Sequence, residues 1–133
     1  MRKDIQNSDD IKKLVDTFYS LVRQNELIGP IFTNRIQDNW PVHLEKMYNF
    51  WENILFGNNT YQGRPFPPHL TMNLEKKHFE TWLGLFYYTV DLLFEGEIAN
   101  EAKNRAGTIA NIFLHKINHF NSLNIIPPSD NNA

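Results

Sequence analysis

The chain has 133 residues, with 13 basic and 15 acidic side chains, a formal net charge of −2 and 41% hydrophobic content. This describes one globular domain able to bury roughly two-thirds of its unfolded surface. It lacks the clustered basic charge of a nucleic-acid binder and any apolar run near the roughly 20 residues that cross a bilayer. Cysteine is absent, which removes disulfides, zinc–thiolate sites and thiol catalysis. Met1-Arg2-Lys3 leads into polar sequence rather than a signal-peptide core, so a cytoplasmic protein is expected. Aromatic residues make up 14% of the chain (3 Trp, 5 Tyr, 10 Phe). Such side chains bury large areas, so either the core is bulky or it wraps something flat.

Four long segments carry helical periodicity. In the first, about Ser8 to Gln24, Ile11, Leu14, Val15, Phe18, Leu21 and Val22 share one face, and Lys12, Lys13, Asp16, Ser20, Arg23 and Gln24 the other. Asn7 or Ser8 caps its start, and Gly29-Pro30 stops the helical run. The second, about Trp40 to Phe56, has Pro41 near its start and Gly57 just past its end. Its apolar arc is Leu44, Met47, Tyr48, Trp51, Ile54 and Leu55. A turn-rich loop from Gly57 to Pro68 follows, long enough for a compact domain to suggest function. The third helix, about Leu74 to Phe94 with Asn73 as its cap, presents Phe79, Trp82, Leu83, Phe86, Val90 and Leu93. The fourth, about Ile98 to Phe120, presents Ala102, Ala106, Ile109, Phe113, Ile117 and Phe120, and its small residues Ala102, Ala106 and Gly107 suit a close helix crossing. Nothing alternates with period two, so the fold class is all-α. Residues 1–122 read as the domain and 123–133, rich in Pro, Ser and Asn, as a disordered tail.

The chemistry-bearing residues are mainly histidines. His115 and His119 are spaced for a metal but fall opposite Phe113 and Ile117 with no third ligand nearby, and they read as surface histidines. His78 sits beside Phe79 at the margin of its helix's apolar face and reads as a packed or half-exposed residue. His43 flanks an apolar arc and shares a side with Met47, so it is either a boundary residue or a ligand. Tyr19 flanks the Phe18 stripe, and by position alone is a boundary tyrosine with its hydroxyl in water. His69 follows Pro67-Pro68, whose restricted backbone suits a side chain held in one direction. Nucleophile elbows, phosphate-cradling loops and paired-carboxylate motifs are absent from the sequence.

In order and spacing, several of these pieces resemble the group III truncated haemoglobins. They are Phe18-Tyr19, Gly29-Pro30-Ile31-Phe32, Trp40-Pro-Val-His43 leading to Asn49-Phe50-Trp51, Tyr61-Gln-Gly63-Arg64-Pro65, and His69-Leu70. His78-Phe79-x-x-Trp82-Leu83-x-Leu85-Phe86, Arg105-Ala106 and Ile109-Ala110 complete the set. Gly-Gly pairs, usual near the helix corners of groups I and II, do not occur. The resemblance reaches Phe120 and implies a shortened globin, a two-over-two helical sandwich around haem b. It makes His69 the proximal iron ligand, with His78, nine residues on, as competitor. It makes Tyr19, His43 and Trp82 the distal residues, sets Phe32 against the haem plane, turns Met47 to the same cavity and offers Arg64 or Lys46 to the haem propionates.

A phenol hydroxyl and an indole N–H donate hydrogen bonds, which suits a diatomic ligand that gathers negative charge in a low-dielectric pocket. The implied function is reversible binding of oxygen and other diatomics (NO, CO). Detoxification of nitric oxide or peroxide is a further use, with a reductase as electron donor. A haem-free helical sensor or interaction module with the same fold is the alternative.

Overall fold

A computed structural model describes residues 2–57 and 75–123, with side chains as far as Lys116. The described elements are α1 (Ser8–Gln24), α2 (Gly29–Ile36), a 3-10 turn (Gln37–Asn39), α3 (Trp40–Phe56), α4 (Lys76–Leu93) and α5 (Glu97–Leu123). The described residues contain no strand, only an isolated bridge between Lys3 and Phe94. Helix α1 packs on α3, α4 packs on α5, and contact between α1 and α4 joins the pairs, while α2 lies against α1. This is the expected two-over-two sandwich. Among the described residues no helix is long and apolar enough to cross a membrane.

The helix ends follow from local chemistry. Asn7 caps α1, its Oδ1 accepting from the Asp10 N–H at 3.0 Å. Asp9 and Asp10 place negative charge in the first turn, where the helix dipole favours it. Gly57 closes α3 in the left-handed conformation, at φ 73°. Two expectations are corrected. Gly29-Pro30 does not merely stop a helix; it starts α2, because proline is preorganised for a first turn. The chain turns at Asn25 instead, whose Oδ1 accepts from the N–H groups of Leu27 (2.9 Å) and Ile28 (3.0 Å). Helix α4 takes Glu75 rather than Asn73 as its cap, because His78 at the third helical position supplies the closing acceptor. Asn73 and Leu74 lie outside the described residues.

Helix α5 is capped from a distance. Asp4 accepts from the N–H groups of Ile98 (2.9 Å) and Ala99 (2.8 Å), tying the N-terminal segment to the start of that helix. Gly96 fits between them at φ 143°, and a Cβ there would lie 2.5 Å from Asp4 Cγ. Farther along, Ala102 and Ala106 are fully buried, and a Cβ on Gly107 would lie 2.9 Å from the Tyr87 Oη. The small residues therefore do bring α4 and α5 close.

Aromatic rings join the two helix pairs. Phe86 stacks on Trp51 (centroids 4.9 Å apart, planes at 16°) and on Trp82 (5.9 Å, 12°). Phe18 of α1 sets its ring nearly perpendicular to Phe86 (5.2 Å, 82°) and to Trp82 (5.6 Å, 87°). These offset and edge-on arrangements are the ones the ring quadrupole favours.

Two outcomes are expected. Phe86→Ala should lower stability by about 3–5 kcal/mol in urea unfolding, because it empties a fully buried site shared by both pairs. Asp4→Ala should cost about 1 kcal/mol, the usual worth of a lost cap. Burial pushes the Asp4 pKa up, but the backbone N–H groups of Ile98, Ala99, Ile5 and Glu97 outweigh it and hold it below 3.8. The folded form thus favours the carboxylate. The difference between wild type and variant should be complete above about pH 5 and shrink as acid titrates Asp4.

Candidate functional site

Four side chains from three elements meet beside the core. Tyr19 of α1 packs edge-on against His43 (5.1 Å between centroids), Trp40 (5.9 Å) and Phe32 (6.1 Å). Trp40 and His43 stand three residues apart on α3, and so share one face, with centroids 5.8 Å apart. Arg23 lies over the Trp40 ring at 4.5 Å, within cation–π range.

The cluster differs from the boundary expectation in two respects. Tyr19 is buried at 6% exposure, because α2 and α3 cover the flank that α1 alone would leave to water. His43 is half-buried, and its Nε2 is shut off from solvent, with Trp40 and Tyr19 packed edge-on against the ring. On the outer side, Tyr19 and Trp40 floor a groove between α1 and α3 that Asp16, Ser20, Leu44 and Tyr48 also line. The Tyr48 hydroxyl donates to the Asp16 carboxylate there, fastening the two helices. Burial, then Asp16, push the Tyr48 pKa up to about 12, so that bond keeps its proton at physiological pH.

The inner side opens on a small apolar cavity of about 20 Å³ lined, among the described residues, by Ile28, Phe32, His78, Phe79, Trp82, Ala110 and Phe113. Phe32 belongs to both regions, since it lines the cavity and touches Tyr19. Trp82 reaches the Tyr19 cluster through Phe18, which packs on Tyr19 at 4.9 Å and on Trp82 at 5.6 Å.

His78 is the cavity's titratable group among the described residues that line it. Its Nδ1 accepts from the Glu75 N–H at 2.8 Å, and its own N–H returns to the Glu75 carbonyl at 3.0 Å. With Nδ1 an acceptor, a neutral ring must carry its proton on Nε2. Burial lowers the His78 pKa, with Glu75 acting against that and Lys77 with it. Neither ring nitrogen then keeps a lone pair for a metal.

The other expected residues divide as follows. Met47 is half-buried against the main core, outside the cavity lining, and Lys46 is exposed. His115 is exposed, as its helical position implies. Arg64, His69 and the 124–133 part of the tail lie outside the described residues, as does the side chain of His119. Among the described residues no three of His, Cys, Asp and Glu cluster as a metal site. Trp40 was not singled out for the site; its three-residue spacing from His43 was the available signal.

The bacterial-like globin family model matches residues 4–115. A group 3 truncated haemoglobin of Campylobacter jejuni is 35% identical over 121 residues, covering 88% of this chain and 95% of that protein. The crystal structure of the group III truncated haemoglobin from Campylobacter jejuni superposes with a TM-score of 0.81 at 34% identity, over 88% of this chain and 95% of that one. Such a family implies a haem cofactor and binding of diatomic gases. The chain belongs to the bacterial-like globin family, and group III truncated haemoglobin is the branch it resembles.

Proposed function

We propose that residues 1–122 hold haem b in the cavity between α2, α4 and α5, in the cytoplasm, and bind oxygen and other diatomics on the Tyr19 side. The observation that carries this reading is the junction at Phe32, where an apolar cavity with aromatic walls adjoins a buried phenol and imidazole. The residues fit the group. Phe32, Phe79, Trp82 and Phe113 supply flat apolar surface from three helices, and Tyr19, His43 and Trp82 supply polar hydrogens beside it. When bound, haem iron supplies an open coordination position for a diatomic ligand.

Each residue then has a task. His69 is the proximal ligand that the group III resemblance implies, and its competitor His78 already uses Nδ1 in the first turn of α4. Tyr19 and Trp82 donate to a ligand that gathers negative charge, and Phe18 holds the two in fixed relation. Trp40 and Tyr19 pack against the His43 ring, whose Nε2 is shielded from water, and a hydrogen bond made there is stronger than one in solvent. Arg64 or Lys46 meets the propionates. Donors aimed at developing charge also suit removal of nitric oxide or peroxide, with a reductase supplying electrons.

Two outcomes follow. His69→Ala should lose the five-coordinate ferrous spectrum; retention of it, with loss in His78→Ala instead, would reverse the proximal assignment. Tyr19→Phe removes one hydrogen bond to a partly charged ligand, worth about 1.5–3 kcal/mol. Oxygen release, followed by stopped-flow displacement with carbon monoxide, should accelerate about tenfold or more. An unchanged rate would mean that the hydroxyl serves another partner.

A further inference from the structure

We propose that His78 is a positioning residue of the cavity: its neutral imidazole closes the cap of α4, so holding Phe79 and Trp82 in the cavity wall, and acid opens that cap. Only the identity of what the wall touches rests on the haem reading; the cap itself does not.

The geometry is that of a capping box, in which the third helical residue reaches back to the N–H of the cap residue. Glutamate or glutamine normally fills that position, and their oxygens accept a hydrogen bond at neutral pH in either case. An imidazole accepts only while neutral. Here Nδ1 of His78 takes the Glu75 N–H at 2.8 Å. Protonation would set two N–H donors head to head across that distance, leaving the backbone donor without its acceptor. The first turn would lose its closure at the point from which the wall is built, since Phe79 follows His78 directly and Trp82 follows one turn later.

The surroundings make this a one-group switch. Facing His78 across the cavity are Ile28 at the cap of α2, Phe32 from α2, and Ala110 and Phe113 from α5, none of which titrates. Charged neighbours among the described residues come from its own turn, Glu75 and Lys77, and they act in opposite directions. Burial, the largest influence, favours the neutral ring and holds the pKa below 6.5. Because the folded state then binds fewer protons than the unfolded one, the stabilisation is complete above about pH 6.5 and is lost as the pH falls through the lower native value.

The test uses the full chain with two substitutions. His78→Gln keeps an acceptor at the capping position but does not titrate; His78→Leu removes the acceptor. Thermal unfolding of the haem-free protein and transfer of haem to excess apomyoglobin are each followed from about pH 8 to pH 5. Wild type should lose stability and release haem several-fold faster at the acid end. His78→Gln should flatten both profiles relative to wild type, whereas His78→Leu should behave at pH 8 as wild type does at pH 5. Identical pH profiles for wild type and His78→Gln would overturn the proposal, as would loss of the five-coordinate ferrous spectrum in His78→Gln, which would make the residue a ligand. If wild type held no haem yet His78→Gln still flattened the unfolding profile, the cap would stand and the haem reading would fall.

Discussion

Phe18 is the contact on which the rest of the molecule depends. One buried ring from α1 meets Tyr19, Trp82 and Phe86 edge-on. Through Phe86 it reaches Trp51 on α3, so each helix pair is registered against the other by aromatic geometry rather than by general apolar contact. Stacked and perpendicular rings tolerate little sliding, because their attraction falls away when the angle changes. In a sandwich of so few helices, that rigidity places a tyrosine and a tryptophan from different pairs in a fixed relation.

The same arrangement separates two environments over a short distance. On one side of Phe32 the walls are almost entirely apolar, with His78 turned into its own helix cap. On the other side a phenol and an imidazole are enclosed by Trp40, over which Arg23 lies as a charged cover. An apolar slot edged by a few buried donors is how a site holds a flat hydrophobic body and still discriminates among small polar ligands. The Tyr48–Asp16 bond keeps the α1–α3 groove from spreading, and so protects the enclosure from its outer face.

Much of this was legible in the sequence where one helix face decides the outcome. The α1 stripe, the Gly57 stop and the inner position of Trp82 all follow from periodicity and cap chemistry. What escaped depends on neighbours. The burial of Tyr19 appears only when α2 and α3 close over one flank of α1, and helix α2 hides behind a Gly-Pro pair that reads equally as a stop or a start. The α4 cap was misplaced because histidine is an unusual capping partner whose suitability depends on its protonation state. For the candidate site, single positions gave open alternatives at His43 and Tyr19, and the ordered family pattern pointed to the set. Met47, one turn from His43, is half-buried against the main core, a contact that depends on the neighbouring helices and not on its own helix face.

The central claim is that the cavity between α2, α4 and α5 holds one haem. Titration of the haem-free protein with haem, followed by absorption and tryptophan fluorescence together, tests it most directly. The account predicts a sharp Soret band that saturates at one haem per chain, with parallel quenching, because Trp82 lines the cavity and Trp51 lies one stacked ring beyond it. A broad band that rises without saturation, while the fluorescence stays unchanged, would contradict it.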